Sequence, residues 1–221
     1  MNQYGSRLFG NIPEVTRNLF LVSALMFIAT QINQSFMIGT FAVFYPKSPF
    51  FRLWQPITYM FMHGNFWHIF VNMWGLLMFG SALERAIGSK KYLLFYFVTG
   101  LGALMIHFGV QYLMARSFLA ADVASQSYID MLRTPTLGAS GAIYGIQIGY
   151  AMLYPNDKWT LLFPPVTLKA KWFVLIFIGI ELFTGVTGTL DGIAHFAHLG
   201  GALFGFLMIL YWKKKGTLWY S

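Results

Sequence analysis

Apolar stretches long enough to cross a bilayer constrain this chain more than any other feature. Spans of roughly 20 apolar residues are needed at 1.5 Å rise per residue. Runs of this kind are read at 18–34, 67–87, 92–114, 172–187 and 193–212, and a shorter one at 142–154. Within lipid, backbone N–H and C=O groups have no water to bond, so such segments must be helices. Of the 221 residues, 57% are hydrophobic and 10% charged, which excludes an ordinary soluble domain. The expected architecture is an all-α, polytopic bundle of six transmembrane helices. It divides into an N-terminal segment 1–17, a six-span core 18–212 and a tail 213–221. Met1–Thr16 is polar and holds Pro13 and Glu14, so no cleavable signal peptide is expected. There are no cysteines, hence no disulfides or thiolate metal sites.

The connections sharpen this picture. Residues 35–65 are rich in aromatics (Phe41, Phe44, Tyr45, Phe50, Phe51, Trp54, Tyr59) and broken by Pro46, Pro49 and Pro56. Too apolar for water and too broken to span, they are expected to lie in the interface. The net charge of +8 does not indicate nucleic acid, because the basic residues cluster at the ends of apolar runs. They read as topology signals and contacts to anionic lipid. With six spans, one side carries Arg7, Arg17, Arg85, Lys90, Lys91, Lys158, Lys169, Lys171, Lys213, Lys214 and Lys215, and the other only Lys47, Arg52, Arg116 and Arg133. This bias places both termini in the cytoplasm and the start of the fourth helix on the outer side.

The short fourth run opens at Gly138-Ala139-Ser140-Gly141. A helix beginning partway into the membrane would put Ser140 beside amide N–H groups that lack intrahelical partners, the setting a nucleophile and a nascent oxyanion require. The alternative is that the glycines permit close packing and Ser140 merely caps the helix. His68 and Asn72 share a face of the second run, and His198 lies in the sixth. Polar groups at such depth either hydrogen-bond helices together or serve a site. In the functional reading, Ser140 and His198 form a nucleophile–base pair, and His68 and Asn72 donate to the oxyanion beside the Ser140 amide. A metal site drawn from His63, His68, His195 or His198 is a rival without the spacing of a helical metal motif, and neither metal nor cofactor is expected. A transporter or channel would need inverted repeats and several intramembrane charges, whereas Glu181 alone lies well inside a run.

These residues resemble the rhomboid intramembrane serine proteases across nearly the whole core. His63-x4-His68-x3-Asn72 has the spacing of the family's histidine–asparagine motif. Glu84-Arg85 before Gly88-Ser89 is similar to the acidic–basic signature closing that span, with acid and base adjacent. Trp54-Gln55 sits where the family has Trp-Arg, Gln replacing Arg. Gly138-Ala139-Ser140-Gly141 resembles the nucleophile motif, Tyr144 its aromatic partner one turn on, and His198-x2-Gly201-x3-Gly205 the base helix.

The resemblance implies a Ser140–His198 dyad cleaving transmembrane segments of other membrane proteins. It also implies a water-filled cavity open to the extracytoplasmic side, with the fifth helix and a capping loop near its entrance. The expected setting is a bacterial inner membrane. A proteolytically inactive, rhomboid-like binder of membrane proteins is the other reading. Small-residue stripes, Gly141/Gly145/Gly149 on the fourth helix and Gly201/Ala202/Gly205 on the sixth, would bring Ser140 to His198. Tyr144 would stack on the His198 ring. An orienting acid would have to be Asp191 or Glu181. Asp191 is expected at the membrane surface and the family offers no role for Glu181, so a dyad without acid is expected.

Overall fold

The computed structural model describes residues 11–121, 126–160, 165–187 and 192–218. In chain order the helices are α1 (Glu14–Ile32), α2 (Gln34–Phe41), α3 (Gln55–Thr58), α4 (Phe66–Gly75), α5 (Ser81–Ile87), α6 (Ser89–Ala121), α7 (Gln126–Arg133), α8 (Ser140–Leu153), α9 (Ala170–Thr187) and α10 (Gly192–Lys214). α4 and α5 form one rod, Phe66–Ile87, joined by a wide π-helical segment, Leu76–Gly80. Among the described residues, five helices are long and apolar enough to cross a membrane: α1, the α4–α5 rod, α6, α9 and α10. α8 is not one of them. Its 14 residues reach roughly 21 Å, against about 30 Å of hydrocarbon.

α8 is instead the enclosed centre of the bundle, with 9 of its 14 residues buried. α6 and α10 flank it, and the contact with α10 is backbone against backbone. A Cβ added to Gly201 would lie 1.9 Å from the Gly141 carbonyl oxygen, and one added to Gly205 would lie 2.7 Å from that of Gly145. Gly149 departs from the expected stripe: its face meets Phe95 and Leu83. At the far end of α8, Lys213 donates to the Met152 carbonyl (2.8 Å), a cation where the helix dipole favours one.

Several boundaries differ from the sequence reading for identifiable reasons. α1 starts at Glu14, four residues before the apolar run. The buried Glu84 carboxylate accepts from Val15 N (3.0 Å), Thr16 N and Thr16 Oγ1 (both 2.8 Å), so an acid in the middle of α5 caps the start of α1. α6 runs to Ala121, 33 residues and roughly 50 Å, so much of the connection expected at 115–137 is helical. A two-stranded antiparallel hairpin, β1 (Lys158–Thr160) and β2 (Thr167–Lys169), occupies part of the proline-punctuated loop. It is anchored by Trp159, which stacks on Phe79 at 4.0 Å. Pro164, which punctuates that loop, lies outside the described residues.

Residues 35–65 carry α2 and α3 and display Phe36, Phe50, Leu53, Trp54 and Ile57 outward. Gln55 is fully buried beneath them. Its side chain accepts from Arg52 N (2.9 Å) and donates to the carbonyl of Phe50 (3.1 Å), tying the loop to itself without a charge.

Candidate active site

The loop before α8 is fixed from three directions. Val43 and Thr136 exchange backbone hydrogen bonds (2.9 and 2.7 Å), and Thr136 Oγ1 meets His107 Nε2 at 2.8 Å. Gly138 N donates to the Tyr59 carbonyl (2.9 Å), while the Tyr59 hydroxyl donates to the carbonyl of Gly100 (2.7 Å). Gly138 has φ +133°, in the region that favours glycine, and an added Cβ would collide with His68 Nε2 at 2.8 Å. The chain therefore enters α8 through a turn closed to other residues, and Ser140 becomes the first helical residue, after Ala139 as N-cap.

Ser140 does not cap the helix. Its Oγ lies 2.8 Å from His198 Nε2. The Tyr144 ring lies parallel over the His198 imidazole, centroids 4.5 Å apart and planes 7° apart. The small-residue contact explains the meeting: α8 and α10 touch at Gly141–Gly201, one residue beyond Ser140 and three beyond His198.

Of the two other candidates, His68 packs its ring against Gly138, on the Ser140 side of its helix. Asn72 is buried, and its Nδ2 donates to the His68 carbonyl (2.8 Å), so one of its two N–H bonds serves its own helix. His63 is fully buried against His68, ring centroids 5.0 Å apart. Burial first, then the neighbouring His68, pushes the His63 imidazole down to about 4, so it adds no positive charge beside the site.

Sequence reasoning undervalued Glu181. Its side chain, buried within α9, reaches the far side of the imidazole. Glu181 Oε2 lies 2.6 Å from His195 Nδ1 and 3.1 Å from His198 Nδ1, the second off hydrogen-bond alignment. The Tyr144 hydroxyl donates to Oε1. The signal available was an acid alone in an apolar run. Asp191, the other candidate acid, lies outside the described residues. The rival three-histidine cluster does not converge: among the described residues, the ligand atoms within 4.8 Å of one another belong to Glu181, His195 and His198. Among the described residues, these three could hold a metal.

Against this geometry the comparisons are specific. The Rhomboid domain matches residues 51–215, and the chain belongs to the rhomboid family. It is 31% identical to RHOMBOID-like protein 12, mitochondrial, of Arabidopsis thaliana, over 86% of this chain and 55% of that protein. It is 31% identical to Rhomboid protease AarA of Providencia stuartii, over 70% of this chain and 54% of that protein. Rhomboid protein 1, mitochondrial, of Saccharomyces cerevisiae is 28% identical over 70% of this chain and 40% of that protein. The chain thus spans about half the length of the first of these relatives. Family and apolar helices together make it an integral, multi-pass membrane protein.

Proposed function

We propose that the chain is an intramembrane serine endopeptidase that cleaves transmembrane segments of other membrane proteins. One observation carries this reading: a serine hydroxyl at the first position of a buried helix, 2.8 Å from a histidine nitrogen. In the proposed reaction Ser140 Oγ bonds to the scissile carbonyl carbon as its proton passes to His198 Nε2. The Ser140 amide, His68 and the free N–H of Asn72 then stabilise the oxyanion. His198 returns the proton to the departing amine, and water, activated by the same imidazole, releases the acyl-enzyme. Tyr144 holds the ring by stacking, Gly138 admits the turn against His68, and Gly141, Gly201 and Gly205 let α8 and α10 approach. An inactive membrane-protein binder needs neither hydroxyl nor imidazole, and here the two are in contact.

The same proposal counts α8, extended by the loop before it, as the fourth of six transmembrane elements within a core at 18–212. Both termini then face the cytoplasm of a bacterial inner membrane, and Ser140 is reached from the other side. The test is cleavage of a model single-span substrate in liposomes. Ser140→Ala, which removes only a hydroxyl, is expected to abolish cleavage without lowering the Tm; cleavage at the wild-type rate would overturn the mechanism.

A further inference from the structure

We propose that Glu181 completes a Ser140–His198–Glu181 relay as a positioning residue, resting on the reading that Ser140 and His198 carry out proteolysis. A carboxylate inside an apolar helix is costly unless partnered, and this one has three partners, all at the site. The Tyr144 hydroxyl holds Oε1, while the Nδ1 atoms of His195 and His198 lie 2.6 and 3.1 Å from Oε2. Tyr144 acts twice: its ring sets the plane of the His198 imidazole and its hydroxyl sets the carboxylate at that ring's edge. Ser140 and Tyr144 lie one turn apart on α8, so the relay closes on the helix from which it starts.

The carboxylate contributes two things. As an acceptor facing Nδ1, it favours the tautomer with Nδ1–H and leaves the Nε2 lone pair for the Ser140 proton. When that proton arrives, the imidazolium charge forms 3.1 Å from a carboxylate oxygen in a half-buried site, where Coulomb attraction exceeds that in water. Glu181 gains no proton; Nδ1–H stays on the ring throughout. The present angle at Nδ1 is no obstacle, because catalytic hydrogen bonds commonly align only once substrate is bound.

The test uses the full chain in liposomes and compares wild type, Ser140→Ala and Glu181→Gln. The readouts are kcat and KM on a single-span substrate, the rate at which a fluorophosphonate probe labels the serine, and Tm. Glu181→Gln is expected to lower kcat and the labelling rate together, by about 10²-fold or more, with KM within about threefold, since a wrong histidine tautomer alone costs a serine protease about 10⁴ in kcat. Wild-type kcat and labelling in Glu181→Gln would overturn the proposal while leaving the dyad standing. A wild-type protein that neither cleaves nor labels would instead overturn the proteolytic reading beneath it. If Glu181→Gln does not fold, Tyr144→Phe decides, since it keeps the stack and frees the carboxylate. A several-fold lower kcat at unchanged KM supports the relay, and an unchanged kcat refutes it.

Discussion

His195 and His198 sit three residues apart on α10, and both present Nδ1 to the same oxygen of Glu181. Their other nitrogens make the difference, because His198 Nε2 meets Ser140 Oγ. His198→Ala is therefore expected to eliminate cleavage and His195→Ala to retain most of it, measured as kcat on a single-span substrate. The reverse outcome would mean that the base is misassigned. This distinction was legible beforehand, since positions three, four and seven beyond His198 are Gly201, Ala202 and Gly205 and a helix approaches its neighbour through its smallest face. Glu181 was not legible as a partner. Nothing in the spacing of α9 says which way its acid points, and its contacts are made across helices, to Tyr144 on α8 and to His195 and His198 on α10.

At the scale of elements, the α8–α10 contact sets the reach between hydroxyl and imidazole. Gly201→Ala would place a carbon 1.9 Å from the Gly141 carbonyl oxygen, and backbone cannot yield as a side chain does. Overpacking of this kind costs about 1–3 kcal/mol. The variant is expected to lose several degrees of Tm and to lose kcat more steeply than KM, because the helices separate at the residue adjoining Ser140. An enzyme with both Tm and kcat intact would show that the two backbones are not in contact. The apolar runs revealed five of the long helices but not their ends. The Glu84 cap on α1 and the Trp159 anchor on the hairpin are tertiary, and each overrides the hydropathy that marks a boundary in sequence.

For the molecule as a whole, the basic residues set a testable orientation. Because the chain has no cysteine, single cysteines report accessibility cleanly. Thr217→Cys is expected to label from the cytoplasmic side and Arg133→Cys from the other; labelling of both from one side would contradict the six-span topology. Orientation has a further meaning through α9. That helix turns Ile180, Phe183 and Val186 outward, and an apolar cleft of about 440 Å³ lies between α8, α9 and α10, lined by Ile148, Val174, Leu175, Ile178, Leu203 and Phe206 among others. α8 and α10 carry hydroxyl and imidazole, whereas α9 carries the carboxylate. Spanning helices meet a change in bilayer thickness by tilting or kinking. In liposomes of stepped acyl-chain length, wild-type kcat should vary more than that of Glu181→Gln; parallel curves would count against this coupling. On the proposed role of Glu181, drawing α9 outward would part the acid from the imidazole while Ser140 and His198, on α8 and α10, stay in contact. The seat of one helix would then act as a valve on turnover.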